Sequence, residues 1–155
     1  MTPFYRTPER VEAFLAEAKS WLGTPFQARQ RAKGAGVDCA NLQQACHQAA
    51  GLLPPGAKFT GYPMDGGHHA NRSPITEWLL QSGKFEQVWD GKGHLPRSQF
   101  GDLLCMRIGR TVWHVSSTLD YPNFLGIYEG VPAFVRQLDD PTWGRRVLAI
   151  WRPVE

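Results

Sequence analysis

The sequence divides into segments with helical periodicity near its start and segments with strand character near its end. Thr7-Pro8-Glu9 predicts a helix start, because Thr suits the N-cap and Pro suits the first helical position. Apolar residues at helical spacing then predict one buried face, which ends at a Gly23 stop. The residues of that face are Val11, Phe14, Leu15, Ala18 and Leu22. Further helices are predicted over 40–50 and from Ser73-Pro74 to Ser82-Gly83.

The last part of the chain predicts an antiparallel sheet. Short segments rich in β-branched and aromatic residues follow one another, with turn residues between them. These segments are 85–89, 102–108, 112–118, 124–128, 131–138 and 147–152. Helices followed by consecutive strands indicate an α+β fold, since an α/β fold would alternate the two. The length predicts a single domain over residues 1–155.

Composition and charge exclude several classes of protein. No apolar run approaches the length of a transmembrane helix, so no membrane insertion is expected. The first residues lack an apolar signal core, so we expect synthesis in the cytoplasm and any export by a route without a cleaved signal. The net charge of +3 is too thinly spread to indicate nucleic acid. Three cysteines without paired spacing indicate neither a disulfide framework nor a zinc site.

Cys39 follows a glycine-rich loop and begins the second predicted helix. Asp38 is the predicted N-cap, which puts Cys39 at the first helical position. Unpaired N–H groups and the helix dipole favour an anion there, so the thiolate is expected to be stabilised for nucleophilic catalysis. The alternative is that Cys39 is a small buried apolar residue, which is what we predict for Cys46, two turns further along the helix.

His114 is the candidate partner of this cysteine. On a strand, Val112, His114 and Ser116 share one face. A lone histidine between large apolar neighbours is more often a buried structural residue. Paired with a cysteine at a helix start, His114 becomes a candidate general base, because a helix packed on an antiparallel sheet can bring the two side chains together.

His68 and His69 lie in a long irregular loop over 52–72. Loops of this length inside a domain are usually functional or mobile. No other ligand-rich spacing accompanies the two histidines, so no metal is expected there. We consider them only as residues that flank a substrate groove.

Four segments carry a specific pattern: WLGTPF…GVDC, FGDLLCMR, WHV and the closing WGRRVLAIWRP. Together they resemble the NlpC family of bacterial cell-wall cysteine peptidases, and the resemblance runs from about residue 11 to residue 153. The closing Trp-x-Arg-Arg segment resembles the branch that tailed phages and gene-transfer particles encode. The resemblance implies a papain-like fold, in which the cysteine helix packs on a five- or six-stranded antiparallel sheet that carries the histidine.

The same resemblance implies an activity and its residues. It implies hydrolysis of peptide bonds in peptidoglycan stem peptides, typically between D-glutamate and a diamino acid, without metal or cofactor. Cys39 is then the nucleophile, His114 the general base, and backbone N–H groups at the helix start hold the oxyanion. The implied partners are the peptidoglycan peptide and phage tail proteins. The implied place of action is the cell wall, reached in a phage-like particle or by non-classical delivery.

The sequence departs from the family's pattern in four places. Ala40-Asn41 stands where Ser-Gly is usual, Phe26 where Tyr is usual, and Phe100 where Pro is usual. By register, Gly126 stands where a polar residue orients the imidazole. The candidates for a replacement orienter are Tyr128, Asn123, Asp120 or a water, with Asp38 as a further supporting residue.

Two other hypotheses stay open. Because Gly126 cannot orient a histidine, the chain could be a phage tail-tip or hub component that keeps the fold with a degraded site. It could also be a different enzyme on the same fold, such as an amidase effector delivered into rival bacteria or an acyltransferase that acts on lipids.

Overall fold

The computed structural model describes residues 1–57, 74–108, 111–138 and 141–155, with only the backbone described for 111–113. The helices are α1 (Pro8–Trp21), α2 (Cys39–Ala49), α3 (Pro74–Ser82) and α4 (Pro141–Gly144). The strands are β1 (Arg31–Ala32), β2 (Gly36–Val37), β3 (Phe85–Trp89), β4 (Leu103–Ile108), β5 (Thr111–Thr118), β6 (Asn123–Tyr128), β7 (Val131–Gln137) and β8 (Val147–Pro153). None of the helices in these ranges combines the length and the apolar character that a membrane crossing requires.

Six strands form one antiparallel sheet in the order β3-β8-β4-β5-β6-β7. This confirms the predicted α+β fold with a five- to six-stranded antiparallel sheet. Helix α2 packs on α1 and lies across β5 and β6. The small hairpin of β1 and β2 precedes α2, inside the stretch that the sequence predicts as a loop. The start of α2 is therefore held between a hairpin and the centre of the sheet.

The buried face of α1 differs from the prediction. Phe14, Ala18 and Trp21 are buried, as expected for residues spaced by four and three positions. Leu15 and Leu22 are 40% and 45% exposed, so the prediction that they belong to this face was wrong. Leu15 follows the core residue Phe14 by one position and is therefore turned by about 100° around the helix axis, toward solvent. Leu22 lies just after the helix, where the backbone has left helical geometry.

Side chains of β6 alternate between two apolar layers. Leu125 and Ile127 pack on the side of α1 and α2, in the cluster that also contains Cys46. Phe124 packs on the other side with Met106 and residues of β8. The prediction that Cys46 belongs to the core is confirmed, since the residue is fully buried.

His47 is a buried histidine of α2 that makes the fold sensitive to acid. Its Nδ1 lies 2.7 Å from the Tyr5 hydroxyl, and the Phe14 ring packs edge-on against it. Burial lowers the pKa of His47 to about 3. An unfolded chain binds a proton at a histidine near pH 6.5, so acid favours the unfolded state over the folded one. Stability is therefore lost as the pH falls below about 6.5.

We expect His47→Gln to weaken this pH dependence. Between pH 7 and pH 5, the contribution of His47 to the free energy of unfolding falls by about 2 kcal/mol, and the variant should lack that loss. Urea unfolding at a series of pH values measures it. His94, which is exposed, provides the control: His94→Gln should keep the wild-type pH slope. Equal slopes in the wild type and in His47→Gln would contradict the prediction.

Candidate active site

Asp38 fixes the start of α2. Its Oδ1 accepts the backbone N–H of Asn41 at 2.8 Å, and its Oδ2 accepts the backbone N–H of Arg29 at 2.7 Å. The first bond caps the helix, which confirms the N-cap prediction. The second ties the helix start to the preceding loop. Cys39, the first residue of α2, is thereby held in one place relative to that loop.

The Cys39 thiol lies within hydrogen-bonding reach of the backbone of Val115 on β5 and of Ala40 in its own helix. Burial raises the pKa of this thiol to about 12, which outweighs the lowering by these backbone donors, and the Asp38 carboxylate raises it further. The helix start therefore lowers the pKa of the thiol as expected, but the loss of solvation on burial raises it by more. At neutral pH the resting side chain is a thiol.

His114 is buried on β5 and its ring is neutral. Burial lowers the pKa of the imidazole to about 3, so at neutral pH it has an unprotonated nitrogen that can accept a proton. Its Nε2 lies 3.3 Å from the Oγ of Ser116. The Tyr128 ring stands edge-on to it, with 6.5 Å between ring centroids. The neutral imidazole has the free lone pair that a general base requires, but its lowered pKa makes it a weaker base than a free histidine.

Cys39 and His114 line the same cavity, which has a volume of about 220 Å³. The other lining residues are Phe26, Ile108, Tyr128 and Glu129. Among the described residues, no hydrogen bond joins the thiol directly to the imidazole. Transfer of the thiol proton therefore requires a side-chain rotation or a bound water, as is common in unliganded sites.

The cavity lies where β5 and β6 separate. Their described ladder joins Ser117 to Leu125 and Thr118 to Phe124, at the end of β5 that is distant from the cavity. Val115 packs on the helix side of the sheet near Cys39, whereas His114 faces the opposite side. The gap between β5 and β6 lets the side chains of Cys39 and His114 reach the same cavity.

The other residues predicted for the site are distributed differently. Tyr128 lines the cavity and Asp38 holds the helix start. Asn123 lies at the far end of the β5–β6 hairpin, where its carbonyl accepts the N–H of Leu119, and Asp120 is exposed in the same turn. Neither is brought to His114.

His68 and His69 lie outside the described residues. Within the described ranges, no group of three or more His, Cys, Asp or Glu side chains is placed to hold a metal ion.

Sequence reasoning missed several residues of the site, among them Ser116 and Glu129. Ser116 contacts His114, and its spacing of two positions along one strand is a signal that could have identified it. Glu129 lines the cavity directly after β6, and nothing local in the sequence marks it.

No protein-family model matches the sequence, and no curated protein matches it either. Several solved structures are similar to this chain, among them the following two. One is a protein described as similar to lipoprotein, NLP/P60 family, from Staphylococcus aureus subsp. aureus Mu50, with a TM-score of 0.64 and 18% identity over 100% of this chain. The other is the NlpC/p60 domain of the peptidoglycan hydrolase SagA, with a TM-score of 0.52 and 17% identity over 94% of this chain.

This chain spans 45% of the first protein and 98% of the second. At such identities the likeness establishes the fold and leaves activity to the residues of the site. The fold that the resemblance implied is thus confirmed: the chain has the papain-like fold of NlpC/P60 proteins.

Proposed function

We propose that this chain is a cysteine peptidase that hydrolyses peptide bonds in peptidoglycan stem peptides. The observation that carries the proposal is the cavity shared by Cys39, at a helix start, and His114, on the adjoining strand. The fold supports it, because one protein with this fold is named a peptidoglycan hydrolase. The substrate bond, the mechanism and any link to phage tails are parts of the proposal.

The reaction begins from a neutral thiol and a neutral imidazole. Burial raises the pKa of Cys39 and lowers that of His114, so forming the ion pair before substrate binds is unfavourable. After a side-chain rotation, or through a bound water, the thiol proton moves to His114 as the sulfur attacks the scissile carbonyl and the C–S bond forms. Backbone N–H groups at the start of α2 then donate to the developing oxyanion.

His114 next acts as a general acid. Its imidazolium protonates the leaving amine, the C–N bond breaks, and the acyl group stays on Cys39. A water molecule then gives a proton to His114 and attacks the thioester. The C–S bond breaks, and the thiolate recovers its proton from the imidazolium. Each proton moves between the substrate, water and these two side chains.

The walls of the cavity suit a stem peptide with a cationic group. Phe26, Ile108 and Tyr128 provide apolar surface, and Glu129 provides a carboxylate. A carboxylate attracts the side-chain ammonium group of a diamino acid. The bond that we propose is the one between D-glutamate and the diamino acid, and this lining suits its diamino acid side.

A phage-like particle as the means of delivery rests on the closing segment. Trp143 is buried in the core, whereas Arg145 and Arg146 line an exposed surface groove with Arg107. A surface with three arginines favours an acidic partner, so a tail protein that binds there should present an acidic surface.

Digestion of purified peptidoglycan tests the proposal. We expect soluble peptides whose new amino terminus is the diamino acid, identified by mass spectrometry. Protein alkylated at Cys39 beforehand is the control and should release none. If the untreated protein releases no peptides but binds a tail protein stably, the chain is an assembly component and the proposal is wrong.

A further inference from the structure

We infer that Ser116 is the positioning residue for His114, in place of the polar side chain that β6 lacks at Gly126. The inference deepens the proposed function and rests on it, since a positioned imidazole matters only if His114 is the base. The observations that carry it are a hydrogen-bonded chain of three buried groups and the space left at one glycine.

The first observation is the location of Ser116. It is fully buried on β5, two positions after His114 and on the same face of the sheet. Its Oγ lies 3.3 Å from the Nε2 of His114 and 3.8 Å from the Sδ of Met106. Met106 is the residue of β4 whose Cα pairs with that of His114. The Ser116 hydroxyl therefore links the His114 imidazole to the Met106 thioether on the neighbouring strand.

The direction of these bonds selects one tautomer of His114. A thioether sulfur has no proton and can only accept, so the Ser116 hydroxyl donates to Met106. The lone pairs of the Ser116 oxygen are then left to accept the Nε2–H of His114. A neutral imidazole protonated at Nε2 is unprotonated at Nδ1. Nδ1 is thus the nitrogen that can take the proton of Cys39.

The second observation is the space at Gly126. A Cβ placed there would lie 3.1 Å from the Ser116 Oγ and 2.9 Å from the Cζ of Phe134, the residue opposite it on β7. A larger residue would push aside either the hydroxyl or the ring. Because Gly126 has no side chain, the Ser116 hydroxyl and the Phe134 ring can occupy this space. The polar group beside the histidine is thus on β5, and the glycine of β6 leaves space for it.

The other candidates explain less. Tyr128 meets His114 through an edge-on ring contact, with 6.5 Å between ring centroids. Asn123 is held in the turn at the other end of the hairpin. Within the part of the chain that the structure describes, Ser116 is the residue whose side-chain oxygen lies within hydrogen-bonding distance of the ring.

The test measures the tautomer of His114 by nitrogen-15 NMR of the folded, substrate-free protein, together with kcat and KM. In the wild type we expect the Nε2–H form. Ser116→Ala should change the tautomer ratio by roughly fivefold and lower kcat by roughly tenfold or more, with KM nearly unchanged. Ser116→Thr, which keeps the hydroxyl, should restore the wild-type tautomer ratio.

Two further variants complete the design. Ser117→Ala removes a buried hydroxyl from the same strand, one that donates to Gln43 at 2.5 Å on the other face, and it should leave the tautomer ratio unchanged. Met106→Leu conserves volume but removes the sulfur acceptor, so it should shift the ratio toward the Nδ1–H form. The inference is overturned if neither Ser116→Ala nor Met106→Leu alters the ratio. The NMR result decides this even if the wild type hydrolyses no peptidoglycan, so failure of the proposed function is seen separately.

Discussion

Replacing His114 with asparagine should lower the rate of peptidoglycan hydrolysis by about a thousandfold, and replacing Cys39 with alanine should abolish it. Burial raises the pKa of the Cys39 thiol to about 12. At pH 7, a thiol with such a pKa is ionised in only about one molecule in 10⁵. Without a base to take its proton during attack, the sulfur stays a poor nucleophile. Asparagine keeps a polar group of similar size in the cavity, so the fold should be retained.

Alkylation of Cys39 separates loss of the base from loss of substrate binding. In His114→Asn the rate of alkylation should follow the fraction of Cys39 that is thiolate. That fraction is small except at high pH, because the pKa of the thiol is raised. The rate should rise about tenfold per pH unit up to the raised pKa. In the wild type His114 accepts the proton, so the rate near pH 7 should be higher and the slope shallower.

Peptide mapping of the alkylated protein distinguishes Cys39 from Cys46 and Cys105, which are also free thiols. Circular dichroism of His114→Asn provides the control for folding. Identical alkylation profiles in the two proteins, or a variant that keeps wild-type hydrolysis, would show that His114 is not the base.

The start of α2 could be predicted because its signals are local. Asp38 caps the helix through the N–H of a residue three positions ahead, and this contact needs nothing from the rest of the chain. The α+β fold could be predicted from the order of the elements, because each helix or strand is also recognised from a short segment. The extent of the buried face of α1 was not predictable in this way. Leu15 and Leu22 are apolar, but which helix positions meet the sheet is decided by packing.

The chemical state of the site could not be predicted from position. A helix start lowers the pKa of a thiol, and the backbone donors around Cys39 do act in that direction. The larger effect is burial, which depends on how β5 and β6 separate around the cavity. Neither the separation of two strands nor the solvent excluded by them is encoded in a short segment.

The neighbour of His114 was within reach of sequence reasoning. Strand alternation already put Ser116 on the same face as His114. Nearness in sequence to Gly126 instead suggested Asn123 and Asp120, which the hairpin places in its distant turn. Alternation along β5, together with the place of the turn in the hairpin, determines which side chain meets the ring.

A buried ion pair between Asp102 and Arg152 should be the most sensitive polar contact for stability. The Nε of Arg152 donates to Oδ1 at 3.0 Å and its Nη2 donates to Oδ2 at 2.8 Å. The Asp102 carboxylate has no exposed surface, and it also accepts the N–H of Gln99 at 2.8 Å. These bonds join β8 to Asp102, the residue that directly precedes β4. They therefore hold β8 and β4 together next to β5.

Arg152→Met should lower the free energy of unfolding by about 3–5 kcal/mol, because it leaves a carboxylate buried without its cation. Methionine fills the volume of the arginine stem, so the loss reports the charge rather than a cavity. Asp102→Asn should cost less, since the amide oxygen can still accept the Gln99 N–H and the Arg152 side chain is 20% exposed to water. Urea unfolding of each variant measures the three stabilities.

Arg6→Met is the matched control, because Arg6 also pairs with a carboxylate, that of Glu155, but its side chain is 57% exposed. The loss of that pair should change the unfolding midpoint much less, since water replaces the contact. The double variant with Asp102→Asn and Arg152→Met should be more stable than Arg152→Met alone, because it no longer buries an unpaired charge. If Arg152→Met costs no more than Arg6→Met, the pair does not stabilise the sheet.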